Sequence, residues 1–157
     1  MFEEAVVLLV EDREDDVLLI NKAFAQACLS NPVHVVRDGD EAIHYINGDA
    51  PYADRSKYPL PQLILLDLKL PRVDGFEVLR WLRAQRELDH IIVLVLTVSS
   101  DIRDVSRAYK LGANSFMVKP TDFQDVTAMI NMLKGYWLLG DKVPGRPPGP
   151  SPNPDKP

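Results

Sequence analysis

Five short runs of mainly aliphatic and aromatic residues recur along the first 120 positions of the chain. They occupy Ala5 to Val10, Val33 to Val36, Leu63 to Leu66, Ile91 to Leu96 and Ser115 to Val118. A strand that is half exposed alternates polar and apolar residues, whereas a strand covered by helices on both faces does not. The runs show little alternation, so they predict five strands of a parallel sheet.

The stretches between these runs carry apolar residues at spacings of three and four, which is the helical period. The predicted helices run from Asp15 to Leu29, Glu41 to Ile46, Phe76 to Arg86, Asp101 to Leu111 and Phe123 to Leu139. Strands that alternate with helices form a doubly wound sheet, and right-handed crossovers favour the strand order 2-1-3-4-5. We therefore predict an α/β fold, a three-layer (βα)5 sandwich of the flavodoxin-like type.

The residues beyond Leu139 have a different composition. The last 18 of the 157 residues contain seven prolines and three glycines, and Val143 is their only aliphatic side chain. Such a segment cannot bury enough apolar surface to offset the entropy of ordering. The sequence therefore predicts a folded domain over residues 1–139 and a disordered Pro/Gly-rich tail over residues 140–157.

Composition excludes several kinds of protein. No apolar stretch approaches the ~20 residues that a membrane span requires. The net charge of −5 argues against a general nucleic-acid or anionic-membrane surface. Cys28 is the only cysteine, so an intrachain disulfide and a zinc site built from cysteine pairs are excluded. We expect a cytoplasmic protein that contacts neither membrane nor DNA directly.

Polar residues follow four of the five runs, at the sheet edge where doubly wound proteins bind ligands. Glu11 and Asp12 follow the first run, Asp67 the third, Thr97 the fourth and Lys119 the fifth. Neighbouring carboxylates repel by about 4 kcal/mol per pair, so three of them require a cation or a proton. Mg²⁺ suits such oxygen ligands. Beside it, a carboxylate can act as a nucleophile in phosphoryl transfer.

Each of these residues taken singly also has a structural interpretation. The acids near the start of the first helix are favoured by the helix dipole, and Asp67 and Thr97 could cap strand ends. Lys119 could be a surface lysine. Their coincidence at four separate strand ends favours a common site.

The pattern resembles the receiver domain of two-component response regulators over Val6 to Leu139. Besides the acid pair, the resemblance is carried by Leu65-Leu66-Asp67-Leu68-Lys69-Leu70-Pro71 with Asp74-Gly75, by Leu96-Thr97 and by Lys119-Pro120. It implies that Asp67 is the phosphoacceptor, and that Glu11, Asp12, Asp67 and the backbone carbonyl of Lys69 hold Mg²⁺.

The resemblance also implies a switch. Thr97 would hydrogen-bond the phosphoryl group, Lys119 would pair with a phosphoryl oxygen, and Phe116 occupies the position of the rotating aromatic side chain. Val98 departs from the smaller residue that is usual there. We expect Val98 to affect the lifetime of the phosphoryl group. The cationic side chain of Lys69 either guards that group from hydrolysis or is a solvated loop lysine.

Two segments are similar to the small stand-alone regulators of bacterial and cyanobacterial phytochrome-type histidine kinases. They are the long stretch from Asn47 to Pro61 and the closing Tyr136-Trp137-Leu138-Leu139. The resemblance implies a sensor histidine kinase as partner and a phosphoacceptor signalling protein, not an enzyme with its own substrate.

The last predicted helix carries a second apolar stripe formed by Met132, Tyr136 and Leu139. A helix that buries one face needs only one stripe, so the second indicates a partner surface or a site for the tail. We predict a homodimer through helix 4, strand 5 and helix 5.

Other functions fit less well. A dehalogenase-type phosphohydrolase needs a second aspartate two residues after the nucleophile, where this chain has Lys69. A nucleotide-binding module needs a glycine-rich phosphate loop, and none follows the first strand. The remaining alternative is a receiver-like interaction module that is never phosphorylated.

Overall fold

Five parallel strands form a single sheet in the computed structural model, which describes residues 5–98, 101–119 and 122–134. The strands are β1 (Val7–Val10), β2 (Val33–Val36), β3 (Leu63–Leu66), β4 (Ile92–Thr97) and β5 (Ser115–Val118). Their order is β2-β1-β3-β4-β5. The predicted fold class and strand order are confirmed.

Five helices connect or follow the strands. They are α1 (Glu14–Gln26), α2 (Gly39–Asn47), α3 (Gly75–Ala84), α4 (Ile102–Lys110) and α5 (Phe123–Leu133), with a 3-10 turn at Arg86–Leu88. An aspartate caps α2, α3, α4 and α5 by accepting a hydrogen bond from a backbone N–H of the first turn. The first helix, α1, begins after Arg13 and has no side-chain cap hydrogen bond.

Two helices end two or more residues earlier than predicted. The first, α1, ends at Gln26 and not at Leu29 because Cys28 adopts a left-handed conformation (φ 58°). The N–H of Leu29 then donates to the carbonyl of Phe24 at 3.0 Å, which satisfies a helix-end acceptor. The third, α3, ends at Ala84, and the chain continues in the 3-10 turn.

Side chains on alternate strand positions enter two separate cores. In β1, Leu8 and Val10 belong to the core under α2, α3 and α4, whereas Val7 and Leu9 belong to the core under α1 and α5. The central strands β1 and β3 are buried throughout, but the edge strands β2 and β5 are partly exposed. Each edge strand also contains a polar residue, His34 in β2 and Ser115 in β5.

The long connection after α2 is ordered by aromatic and guanidinium contacts. The rings of Tyr52 and Tyr58 contact Tyr45 in a tilted and an edge-on arrangement, with centroids 5.1 and 6.0 Å away. Arg55 donates hydrogen bonds to the carbonyls of Tyr45 and Ile46, at 2.8 and 2.6 Å. Since both carbonyls lie in the last turn of α2, Arg55 supplies donors that the helix end lacks.

Several predictions fall outside the described residues. These are the structure of Tyr136 and Leu139, the continuation of the last helix to Leu139, and the tail over residues 140–157. Among the residues that the structure does describe, no helix has the length and apolarity needed to cross a membrane.

Candidate functional site

The register of the sheet brings two acidic residues together. Val10 of β1 pairs with Leu66 of β3. The pattern continues beyond the strands, because the N–H of Asp67 donates to the carbonyl of Val10 at 3.1 Å and that of Glu11 to the carbonyl of Val36 at 3.0 Å. Glu11 and Asp67 therefore end neighbouring strands at the carboxyl edge of the sheet, where both side chains are buried.

A lysine that follows β5 neutralises part of this charge. The Nζ atom of Lys119 donates to Oε1 of Glu11 at 2.5 Å and to Oδ2 of Asp67 at 2.9 Å. Lys119 follows β5 directly, and its N–H donates to the carbonyl of Thr97 at 2.6 Å. The ammonium is buried with its partners, so these are charge-assisted bonds in a poorly solvated site.

Burial and the hydrogen bond from Lys119 shift the pKa of Glu11 in opposite directions. Burial raises the pKa of Glu11 to about 7, although its hydrogen bond to Lys119 opposes the shift. Burial alone would lower the pKa of Lys119, but the hydrogen bonds and charges of Glu11 and Asp67 hold that pKa above its ordinary value. Lys119 is therefore charged at neutral pH, whereas Glu11 titrates there.

Glu11, Asp12 and Asp67 form a group that could hold a metal ion. Each offers a carboxylate oxygen, and the three oxygens lie within 4.8 Å of one another. Glu11 and Asp67 are buried and Asp12 is exposed, so the group opens to solvent on one side. Oxygen donors alone, with an open side for water or phosphate, fit the coordination that Mg²⁺ prefers.

The loop after β3 fixes the Asp67 side chain. Oδ1 of Asp67 accepts a hydrogen bond from the N–H of Lys69 at 3.1 Å, while Oδ2 is held by Lys119. The start of α3 packs on this loop so closely that a Cβ atom on Gly75 would lie 2.4 Å from the backbone oxygen of Asp67. Gly75 is required there because any side chain would displace the backbone of Asp67.

Comparison with known proteins identifies the family. Residues 7–131 match the family described as the response regulator receiver domain. The chain belongs to this family.

Two curated relatives extend over most of this receiver protein. The probable methanogenesis regulatory protein FilR2 of Methanothrix harundinacea is 36% identical over 140 residues, which cover 89% of this chain and 88% of FilR2. The response regulator Rcp1 of Synechocystis is 34% identical over 133 residues, which cover 85% of this chain and 88% of Rcp1.

Solved structures agree with this assignment. The phosphorylated cyanobacterial phytochrome response regulator RcpA superposes with a TM-score of 0.82 at 33% identity, covering 90% of this chain and 99% of RcpA. The Mn²⁺-bound form of Rcp1 superposes with a TM-score of 0.79 at 33% identity, covering 90% of this chain and 99% of Rcp1. The predicted resemblance to phytochrome-associated response regulators is confirmed.

The two residues predicted to form the switch lie on the neighbouring strands β4 and β5. Thr97 ends β4 and is fully buried, and Phe116 in β5 is partly buried against the core under α3 and α4. Val98 is 60% exposed. Lys69 is joined to the receiver site by its backbone N–H, and its residue surface is exposed.

The predicted dimer residues are not part of this site. Met132 on α5 is 47% exposed, and Tyr136 and Leu139 follow the last described residue. Exposed apolar residues also occur on the two neighbouring elements: Ile102 starts α4 and Val118 ends β5.

Sequence reasoning missed one contact of the receiver site. Asp16, in the first turn of α1, accepts a hydrogen bond from Nζ of Lys119 at 3.1 Å. The sequence showed Asp16 only as one of several acids at a helix start. Its position in the first turn of a helix that begins soon after β1 was the available signal, because helical side chains tilt toward the N-terminus of their helix.

Proposed function

We propose that this response regulator accepts a phosphoryl group from a histidine kinase onto Asp67 in a Mg²⁺-dependent reaction. The observation that carries the proposal is the paired geometry of Asp67. Its carboxylate is bonded to the Lys119 ammonium and lies in a group of acidic oxygens that suits a divalent ion. A nucleophile, a fixed cation and a set of carboxylates that can bind a metal ion are the components of a phosphoryl-transfer site. The three carboxylates, Glu11, Asp12 and Asp67, are called the metal group below.

The transfer itself is a displacement at phosphorus. One carboxylate oxygen of Asp67 attacks the phosphorus of a phosphohistidine, the P–N bond breaks, and its electron pair returns to the imidazole nitrogen. The Lys119 ammonium, 2.9 Å from Asp67, offsets the negative charge on the transferring oxygens. The hydrogen bond from the Lys69 N–H orients the carboxylate before attack.

The metal group has a defined part in this proposal. Glu11, Asp12 and Asp67, with the backbone carbonyl of Lys69, would hold Mg²⁺. Bound there, Mg²⁺ would supply positive charge beside the phosphoryl oxygens. The Mn²⁺-bound form of the relative Rcp1 supports a divalent ion in this type of receiver.

The phosphoryl group would then alter the neighbouring surface. An aspartyl phosphate adds roughly −1.5 to −2 charge and new acceptor oxygens. We propose that Thr97 turns to bond one of them, that Phe116 turns inward, and that α4 and β5 shift. The partly buried state of Phe116 is consistent with a side chain that has room to move.

The partner and cellular location follow from the same assignment. A sensor histidine kinase would phosphorylate this chain in the cytoplasm. The relative RcpA is a phytochrome response regulator, which supports a kinase of the phytochrome type. The chain would act as a signalling protein, with autophosphorylation and dephosphorylation as its own chemistry.

Intact mass tests the proposal directly. Wild-type protein incubated with acetyl phosphate and Mg²⁺ is expected to gain about 80 Da, the mass of one phosphoryl group. The same mixture with EDTA in excess is expected to show no adduct. The proposal would be contradicted if neither acetyl phosphate nor the phosphorylated partner histidine kinase produced an adduct in the presence of Mg²⁺. That result would favour the interaction module that is never phosphorylated.

Metal binding is expected to depend on pH around neutrality. Because the pKa of Glu11 is raised to about 7, its folded carboxyl holds a proton at pH 6 that Mg²⁺ must displace. Affinity for Mg²⁺ should therefore fall from pH 8 to pH 6, approaching a tenfold loss per unit below the pKa. Calorimetric titration at pH 6 and pH 8 measures the Mg²⁺ affinity, and Glu11→Gln is the variant that should remove its pH dependence.

The raised pKa of Glu11 also predicts the direction in which folding stability changes with pH. A carboxyl whose folded pKa lies above its unfolded value of 4.5 binds more protons in the folded state, so stability falls as pH rises from 4.5 through 7. Added Mg²⁺ should raise the melting temperature more at pH 8 than at pH 6. Equal Mg²⁺ affinity at the two pH values would contradict the role given to Glu11.

We also propose a homodimer through α4, β5 and α5. The exposed apolar side chains of Ile102, Val118 and Met132 lie on these three elements. Met132→Glu combined with Tyr136→Glu is expected to keep the phosphorylated protein monomeric in sedimentation velocity. Leu18→Glu, at a 59% exposed leucine of α1, is the control and should leave association unchanged. Unaltered sedimentation of the double variant would show that the interface is wrong.

A further inference from the structure

Lys119 has a third carboxylate partner that the proposed reaction does not use. Its Nζ atom donates to Oδ2 of Asp16 at 3.1 Å, in addition to Glu11 and Asp67. The side chain of Asp16 is 19% exposed, so it lies at the border of the site. Asp16 is not one of the three residues whose oxygens could share a metal ion.

An ammonium group has three N–H donors, and these three carboxylates match them in number. Two of the partners change during the proposed reaction. Asp67 becomes an acyl phosphate, and Glu11 is one of the residues that would bind the metal. Asp16 lies on α1, outside the metal group, so its bond to Lys119 is compatible with every stage of the transfer.

The orientation of Asp16 distinguishes it from the other acids in the first turn of α1. Glu14 points away and pairs with Arg37 at 2.5 Å, and Asp15 is exposed. The oxygen of Asp16 that accepts from Lys119, Oδ2, also lies 3.4 Å from Nε of Arg13. The Asp16 carboxylate thus contacts both a surface guanidinium and the buried ammonium.

We propose that Asp16 is a positioning residue for phosphoryl transfer, which holds the Lys119 ammonium in place when Asp67 and Glu11 turn to the phosphoryl group and the metal. The inference rests on the phosphorylation of Asp67 proposed above. Fixing a charged group before the reaction reduces the reorganisation needed to reach the transition state. Partners that orient metal ligands lower activity about 10- to 100-fold when they are lost, and we expect a similar loss, of about tenfold, for a partner that orients the Lys119 ammonium.

The test compares four full-length proteins: wild type, Asp16→Ala, Asp16→Glu and Asp15→Ala. Phosphorylation by acetyl phosphate is followed over a range of donor concentrations, and Mg²⁺ affinity is measured separately. Asp16→Ala is expected to lower the maximal phosphorylation rate about tenfold with unchanged Mg²⁺ affinity. Asp16→Glu should recover part of the rate because it restores a carboxylate. Asp15→Ala removes the same charge one residue away and should match wild type.

Four outcomes would overturn the inference. They are an unchanged rate in Asp16→Ala, an equal loss of rate in Asp15→Ala, a parallel loss of Mg²⁺ affinity in Asp16→Ala, and no recovery in Asp16→Glu. A lower melting temperature of Asp16→Ala does not alter the first of these outcomes, because with a normal rate it would indicate a purely structural contact. Failure of the wild type itself to form an adduct contradicts the proposed function, so the two failures are distinguishable.

Discussion

Asp67→Asn protein is expected to acquire no phosphoryl group under conditions that modify the wild type fully. The amide oxygen of asparagine is a poor nucleophile, and its attack would not yield a stable acyl phosphate. Asparagine nevertheless keeps the shape of aspartate and an oxygen that can accept the Lys69 N–H, which is bonded to Oδ1 in the wild type. The variant therefore removes the chemistry with little change in the loop. Intact mass after incubation with acetyl phosphate and Mg²⁺ measures the result.

The folded state of this variant should not suffer. Asp67 shares the Lys119 ammonium with Glu11 and Asp16, and the group carries more negative than positive charge. Removing one carboxylate relieves repulsion while two partners of the lysine remain. We expect a melting temperature equal to or above that of the wild type in the absence of metal.

A second asparagine substitution provides the control for Asp67→Asn. Asp74→Asn changes the residue that caps α3, whose side chain accepts from the N–H of Glu77 at 3.0 Å. Asparagine caps helices about as well as aspartate. Asp74→Asn should therefore be phosphorylated like the wild type. An adduct of wild-type yield on Asp67→Asn would mean that another residue is the acceptor.

Much of the sheet edge was predictable because buried parallel strands leave a strong local signal. The runs around Val7–Val10 and Leu63–Leu66 are continuous and hydrophobic, and their lengths place the ends at Glu11 and Asp67. Once the strand order is 2-1-3-4-5, β1 and β3 are neighbours and so are the residues that follow them. The proximity of these two acids required no knowledge of side-chain packing.

Contacts that depend on side-chain direction were not predictable in the same way. The hydrogen bond from Lys119 to Asp16 joins residues 103 positions apart and depends on how α1 starts. Gly75 was recognised as part of a motif, but its close approach to Asp67 arises from the angle at which α3 enters the loop. Both depend on tertiary geometry, which local hydrophobic patterns do not encode.

Local conformation also limited the prediction of boundaries. Cys28 lies within a segment whose apolar spacing continues to Leu29, yet its positive φ angle ends α1 before that residue. A non-glycine residue in this conformation gives no compositional sign of a helix end. The sequence marked the connection after α2 only by its length, whereas its order comes from Arg55 and the packed tyrosine rings.

The Lys119→Met variant is expected to show the largest combined loss of reactivity and stability. Methionine keeps most of the side-chain volume but removes the ammonium that bonds Glu11, Asp16 and Asp67. Removal of a single preorganised electrostatic contact commonly lowers a rate by about 100- to 1000-fold. Acetyl phosphate kinetics followed by intact mass should show a loss in that range.

The stability of Lys119→Met should depend on pH and on Mg²⁺ because buried carboxylates lose their cation. Breaking a buried ion pair on one side costs about 3–5 kcal/mol, although protonation of Glu11 limits the loss at low pH. The pKa of Glu11, already raised to about 7 by burial, rises further without the lysine, so the deficit grows from pH 6 to pH 8. Mg²⁺ should restore more stability to this variant than to the wild type, since it supplies a cation to the same oxygens.

Lys57→Met is the matched control for this experiment, because Lys57 is an exposed residue of the connection between α2 and β3. It should match the wild type in phosphorylation rate and in chemical denaturation at both pH values. If Lys119→Met retained wild-type phosphorylation, the ammonium would have no part in transfer. If its stability deficit were independent of pH and Mg²⁺, the loss would come from packing and not from the three carboxylates.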